Sequence, residues 1–268
     1  MTPQRLVFSY HKTGTSLFLA VMSKVAERLG LRVVTQYGLV TQIDPDADIV
    51  LLAHSLIEAL PARPFRAIRV VRDPRDIWVS GYLYHRHAAE GWCVNTDFDP
   101  TAPIDYPRVD FSFQYQPEAW KRAYLAGLNG KSYQQNLLDR DQADGLAFEL
   151  ARYTGCTLDA MRAWRWSSPA ILDIKMETLS SDYDGTIRAI FRHLAFTPSE
   201  IETAVEIAAT EDVRRMSDDA LAVRPQIHSR TLSKWRDFLS TAQVSAFEAQ
   251  YGDVITRLGY ALSAPALG

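Results

Sequence analysis

The apolar run at 49–53, Ile-Val-Leu-Leu-Ala, constrains the fold of this chain more than any other stretch. It leaves no polar side for water, so it suits a strand of a parallel sheet covered on both faces. Leu6-Val-Phe8 and Ala67-Ile-Arg-Val-Val71 read the same way, and 31–35 supplies a further strand. Between the first two strands lies an amphipathic helix, 15–29. Leu17, Val21, Val25 and Leu29 recur at four-residue spacing, Phe18 and Met22 widen the stripe, and Gly30 is a natural stop. A short helical piece is expected between His54 and Pro61. After the strand at 67–71, Asp73 is placed to cap a helix that has Pro74 at its first position. Such alternation implies right-handed crossovers and an α/β fold with a central parallel sheet flanked by helices. Ligands of these sheets gather at the carboxyl ends of the strands. Lys12, His54 and Arg72 each fall at an expected strand end.

Taken singly, the chemical features are open to plain readings. In Tyr10-His-Lys-Thr-Gly-Thr-Ser16 a strand, a tight loop and a helix start would aim several N–H groups at one point. Lys12 and the Thr13, Thr15 and Ser16 hydroxyls could join them around an anion. Such a loop is also often a simple connector, and it departs from the NTPase pattern G-x-x-x-x-G-K-[ST]: the lysine precedes the glycine and no earlier glycine exists. In Arg72-Asp-Pro-Arg-Asp-Ile-Trp-Val-Ser80 the arginine offers a planar fork and Ser80 a hydroxyl, two turns into the helix on the side of Ile77 and Tyr84. On its own this is equally a helix cap with a surface ion pair. A single histidine such as His54 is more commonly a hydrogen-bonded structural residue than a base. His85 and His87 point to different helix faces and make no metal pair, His11 could merely shape its loop, and 211–219 reads as a solvated face.

Composition excludes some partners. A net charge of −3 over 268 residues, with 47% hydrophobic and 23% charged residues, describes an ordinary globule without the basic excess that bulk nucleic-acid binding needs. Cys93 and Cys156 give neither a disulfide framework nor metal spacing and fit a reducing compartment, with one bridge between them still open. No targeting segment or membrane span is expected, which points to a cytoplasmic protein. One domain, 1–268, is expected, with an aromatic-rich loop insertion at about 91–116 and a helical segment at about 117–166. Within the latter, helices are expected at 117–128, at 132–153 with Gly155 as stop, and at 158–166. A strand at 170–174 and helices at 182–194, 198–209 and 235–251 complete the reading.

The chain resembles the sulfotransferases that use 3′-phosphoadenosine 5′-phosphosulfate (PAPS), in their soluble bacterial form. Tyr10-His-Lys-Thr-Gly-Thr-Ser16 is similar to the family's 5′-phosphosulfate loop, Y-P-K-S-G-T-T, and Arg72 to Ser80 to its 3′-phosphate motif, R-N-P-K-D-x-x-x-S. Ala53-His-Ser-Leu-Ile-Glu-Ala-Leu-Pro61 resembles the segment T-H-L-P-x-x-x-L-P that holds the family's catalytic histidine. Residues 174–182 resemble the strand end Y-E-D-L-x-x-D, and Ser229-Arg-Thr-Leu-Ser-Lys-Trp235 the late loop R-K-G-x-x-G-x-W. The matches follow the family's order along nearly the whole chain. Departures are His11 for the proline, Leu17 for a tryptophan, Met176 for the tyrosine near adenine, and a late loop without glycines.

The resemblance implies a P-loop-containing nucleotide-binding-like fold and a sulfuryl transfer from PAPS to an acceptor hydroxyl or amine, with no metal. Lys12 would stabilise the transferring group, and N–H groups from Thr13 through Gly14 and Thr15 to Ser16 would hold the 5′-phosphate. Arg72 and Ser80, helped by Arg230, would bind the 3′-phosphate. His54 would be the general base, a role that the ordinary histidine pKa of about 6.5 suits. A small-molecule or glycan acceptor would be met by the aromatic segment 92–115 and by Tyr82. The alternatives are a P-loop nucleotide kinase or NTPase, and a non-catalytic nucleotide-binding protein on the same fold.

Overall fold

In the computed structural model, which describes residues 2–96, 124, 126–224 and 231–263, parallel strands form one sheet. These are β1 (Gln4–Ser9), β2 (Val33–Val40), β3 (Ile49–Ile57), β4 (Phe65–Val71) and β5 (Ile171–Lys175), in the spatial order β2-β3-β1-β4-β5. Every residue of β1 is buried, as its central position demands. Side chains alternate across the sheet with the period of two that strands impose. Val7, Ile49, Leu51, Ile68 and Val70 enter one hydrophobic cluster, while Leu6, Phe8, Val50, Leu52 and Ala67 enter another on the opposite face. The expected parallel α/β sheet is thus what these residues form.

Helix α1 (Thr15–Leu29) follows β1 and ends at Gly30, whose left-handed φ of 66° closes the cap. Its buried side is Phe18, Val21, Met22, Val25 and Ala26, whereas Leu17 and Leu29 at the ends of the expected stripe stay partly open. Helix α2 (Pro74–His85) begins as the sequence predicts: Pro74 stands at the first position and the Asp73 carboxylate accepts the Arg75 N–H at 3.0 Å. The short helix α3 (Gly91–Val94) follows. Beyond the undescribed stretch come α4 (Tyr133–Leu138) and α5 (Gln142–Glu149). A π-helical segment, Leu150–Thr154, leads from α5 directly into α6 (Gly155–Ala163). After β5 follow α7 (Met176–Ser181), α8 (Tyr183–His193), α9 (Pro198–Ala209), α10 (Asp218–Ala222), α11 (Trp235–Phe238) and α12 (Thr241–Arg257). Among the described residues no helix is long and apolar enough to cross a membrane.

Several expectations need correction. The chain after His54 is not helical. It continues as β3 to Ile57, because Gly38, Leu39 and Val40 extend β2 and give Ser55, Leu56 and Ile57 partners. The helix expected at 132–153 is broken at Asp139–Asp141, where Asp141 caps a new start, and Gly155 does not stop it. Gly155 instead lets the chain pass close to its neighbours: a Cβ there would lie 2.7 Å from the Leu150 carbonyl and 3.1 Å from the Tyr251 hydroxyl. The helix expected at 158–166 starts earlier and ends at Ala163. That at 235–251 divides at Ser240, which forms a capping box with Gln243. The expected loop beyond 96 and most of the helix at 117–128 lie outside the described residues.

Candidate active site

The order of strands sets the location. β1 sends its chain outward to β2, and the neighbouring β3 sends its chain back across β1 to β4. Adjacent strands whose connections leave in opposite directions open a crevice at their carboxyl ends.

At the end of β1 the loop closes on itself. The Thr13 N–H donates to the Tyr10 carbonyl at 3.2 Å, and the Thr13 hydroxyl accepts from the Tyr10 N–H at 2.8 Å. Lys12 and Gly14 both take the left-handed conformation, with φ of 61° and 90°. Gly14 is required on two counts. Its φ is strained for any side chain, and a Cβ would meet the Met176 sulfur at 2.9 Å. α1 starts at once, so the N–H groups of its first turn have no helical carbonyl behind them and point into the crevice side of the loop with the positive end of the helix dipole. No acidic residue occupies that first turn.

His54 sits at a β-bulge. Tyr37 pairs with Ala53 and Gly38 with Ser55, so His54 is the extra residue of β3, with a φ of 51°. Ala53 is the last residue paired with β1, so the bulge throws the His54 ring out just beyond the end of the central strand. Its Nε2 lies 3.3 Å from the Thr15 hydroxyl. At the end of β4, Arg72 is buried. Its Nη1 donates to the Lys12 carbonyl at 3.2 Å, its Nη2 lies 3.7 Å from the Asp76 carboxylate, and its Nε finds no hydrogen-bond partner among the described residues. Asp76 also accepts the N–H groups of Ser233 and of Trp235, the latter at 3.1 Å, and so pins the segment 231–235 against α2.

These groups surround one cavity of about 480 Å³. Lys12, Gly14, Thr15 and Ser16 line it from the loop, His54 from the bulge, and Arg72 and Ser80 from β4 and α2. Thr13 does not: it is buried beneath the loop, with both polar groups spent on Tyr10. Arg230 lies outside the described residues. Tyr82 is also placed elsewhere, in the core beside Gly145 and Phe238, and it is Tyr84 that lines the cavity. Trp92 lines it as expected, while 97–115 is undescribed.

The sequence reading missed Lys234, which lines the cavity from the pinned segment. The available signal was its place next to Trp235 in the late loop. Lys12 and Lys234 share the space with Arg72. Burial first, then the Arg72 and Lys234 charges, pull the Lys12 ammonium down to about 7. Burial and Arg72 bring Lys234 to about 8. The Lys12 ammonium rests over the Tyr84 ring at 4.0 Å. Lys12, Arg72 and Lys234 thus gather beside the N-terminus of α1, an arrangement that an anion with several oxygens would suit. One wall further along is apolar, with Leu17, Met176 and Leu179; another is aromatic, with Tyr84, Trp92 and Tyr153. Among the described residues no group of three or more His, Cys, Asp or Glu could hold a metal ion.

Fold and cradle together define a parallel α/β protein with a cavity lined by Lys12, Arg72 and Lys234 at the carboxyl edge of its sheet. No protein-family model matches the chain, and no curated protein does. Among solved structures, it is similar to mouse sulfotransferase SULT7A1 complexed with PAP, at 15% identity and a TM-score of 0.49, over 95% of this chain and 85% of that one.

Proposed function

We propose that the chain is a PAPS-dependent sulfotransferase that moves a sulfuryl group to an acceptor hydroxyl or amine. The observation that carries this reading is the convergence of Lys12, His54, Arg72 and Ser80 on one cavity at the carboxyl edge of the sheet. The donor's groups fit the residues present. The α1 N-terminus with Gly14, Thr15 and Ser16 suits the 5′-phosphate. The buried fork of Arg72, with its unpartnered Nε, and the Ser80 hydroxyl suit the 3′-phosphate, with Lys234 as a third contact. Thr13 shapes the loop without touching the ligand. Arg230 remains assigned to the 3′-phosphate from the sequence alone.

The reaction exchanges the S–O bond to the donor phosphate for a new S–O or S–N bond to the acceptor. The acceptor oxygen or nitrogen bonds to sulfur, the bond from sulfur to the bridging phosphate oxygen breaks, and 3′,5′-adenosine diphosphate (PAP) leaves. His54 takes the acceptor's proton. Lys12 faces the charge that builds on the bridging oxygen, a task of positioning and electrostatics like that in phosphoryl transfer. The acceptor enters along the wall of Tyr84, Trp92 and Tyr153.

His54→Ala tests the assignment. It should bind PAP as the wild type does in calorimetry while labelled-sulfate transfer falls by roughly 10²–10⁴-fold, the scale of general acid–base catalysis. Undiminished transfer would remove His54 from the chemistry. Tight binding of Mg-ATP with none of PAP would favour a kinase or NTPase, and PAP binding without transfer to any acceptor a non-catalytic binder.

A further inference from the structure

We propose that Glu149, His85 and His11 form a buried column that positions His54 through its ring plane, making His11 and Glu149 positioning residues for proton transfer. The proposal rests on the sulfotransferase reading for the role of His54, but the column itself stands on separate geometry.

Its foot is Glu149, fully buried at the end of α5. Burying a carboxylate is costly unless donors replace water. Glu149 has three: His85 Nδ1 at 2.8 Å, the Tyr133 hydroxyl at 2.9 Å and the Thr154 hydroxyl at 2.8 Å. The fold makes specific room for it. Gly81 of α2 faces the carboxylate, and a Cβ there would lie 2.6 Å from Oε1. The π-helical segment begins immediately after Glu149 and sets the spacing of Tyr153 and Thr154 around it. Such wide turns are frequent at functional sites.

From Glu149 the column rises through two imidazoles. His85 Nδ1 faces this carboxylate at hydrogen-bond distance, which fixes the orientation of its ring. The His11 ring stacks on it nearly parallel, with centroids 4.9 Å apart at 7°. Tyr153 packs edge-on against both, at 4.2 Å from His85 and 4.6 Å from His11. His11 then meets the His54 ring at 82°, with centroids 5.6 Å apart. His54 Nε2 also lies 3.3 Å from the Thr15 hydroxyl. The imidazole at the bulge therefore meets both a hydroxyl and a ring that stacks on the carboxylate-bound His85.

Two features show why His11 acts as a surface and carries no proton itself. Its Nδ1 is buried without a partner among the described residues. Burial, followed by the charges of His85, Lys12 and His54, pushes its pKa well below the usual histidine value. That direction favours the neutral ring at His11. The other ionisable groups lining the cavity around His54 are Lys12, Tyr84, Glu90, Tyr153 and Arg72, with Tyr37 on β2 and Lys234 on the pinned segment. Tyr183, Glu211, Asp212, Arg214 and Arg224 line it as well. All of these are left unchanged in the test.

The test compares Glu149→Gln, His11→Ala and His11→Phe, using PAP calorimetry, turnover against pH, and NMR titration of the His54 imidazole. PAP affinity should stay within about twofold in all three. Glu149→Gln and His11→Ala should lower kcat by roughly 10–100-fold, as loss of an orienting partner does. His11→Phe, which keeps a flat neutral ring, should recover most of it. In Glu149→Gln the acidic limb of the kcat profile and the NMR titration of His54 should both move to lower pH, because a buried negative charge has gone. Unchanged kcat and an unchanged His54 titration in His11→Ala would overturn the proposal, even if Glu149→Gln fails to fold. Should the wild type transfer no sulfuryl group, the sulfotransferase reading falls. The NMR titrations then still decide whether the column controls His54.

Discussion

Lys12 shows how a single side chain can store the demand for a ligand. In water its ammonium would lose a proton near 10.5; in the cavity it does so at about 7. Folding therefore releases a proton anywhere between those values, and the unfolded chain holds more protons than the folded one. Stability from this residue accordingly rises with pH across that window, and the cost of burying the charge is fully felt below pH 7. Lys12→Met should raise Tm by a few degrees at pH 6 and by almost nothing near pH 10, while weakening PAP binding by roughly ten- to a hundredfold. The anion should reverse the shift and draw protons back. Calorimetry near pH 8.5 in buffers of differing ionisation enthalpy should show uptake of about one to two protons per PAP, since Lys234 at about 8 responds in the same sense. Lys12→Arg should remove the larger share. Gly14 gives the complementary test. The Met176 tip can swing aside, but a φ of 90° cannot be relieved. Gly14→Ala should thus cost about 1–2 kcal/mol in thermal or urea unfolding, and adding Met176→Ala should restore little of it.

At the scale of elements, those announced by local chemistry were legible and those decided by a distant partner were not. α9 matches the expected 198–209 because Thr197 and Glu200 form a capping box and Pro198 fixes the first turn. α2 was readable from Asp73 and Pro74 for the same reason. The stretch after His54 reads as helical because Leu56 and Ile57 fit a helix or a strand equally well, and only the extension of β2 decides. The bulge that aims His54 depends on the same long-range register. Gly155 misled because a glycine serves close packing as well as termination, and its neighbour there is Tyr251, far along the chain. Of the candidate site, the charged and hydroxyl residues at strand ends are legible, whereas Lys234 carries only the weak signal of its place beside Trp235, because Asp76 delivers it through two backbone N–H groups. An amide at position 76 has a single acceptor oxygen and no charge for Arg72. Asp76→Asn should therefore cost roughly 1–3 kcal/mol and speed hydrogen exchange at the Ser233 and Trp235 amides, with little change in β1.

Across the whole molecule, the sheet brings Lys12, His54 and Arg72 to one edge, but the cavity closes only where the helical layers meet it. A ligand held by both ends of the chain should stabilise all of it. At a hundredfold excess over Kd, PAP should add about 2.7 kcal/mol, or ~5–10 °C in Tm, with exchange protection in peptides covering both 10–16 and 231–235. A melting temperature unmoved by PAP would count against the site as a whole.

The two N–H groups that Asp76 accepts from Ser233 and Trp235 also have a consequence in time. During synthesis the loop after β1 leaves the ribosome first, and the segment that supplies Lys234 emerges more than two hundred residues later. Until then Asp76 lacks its backbone donors and the cradle lacks a wall. A nascent or truncated chain ending before residue 235 would carry Lys12, His54 and Arg72 in sequence without a closed site around them. Occupancy of the cavity thus reports that the late part of the chain has folded onto the early part.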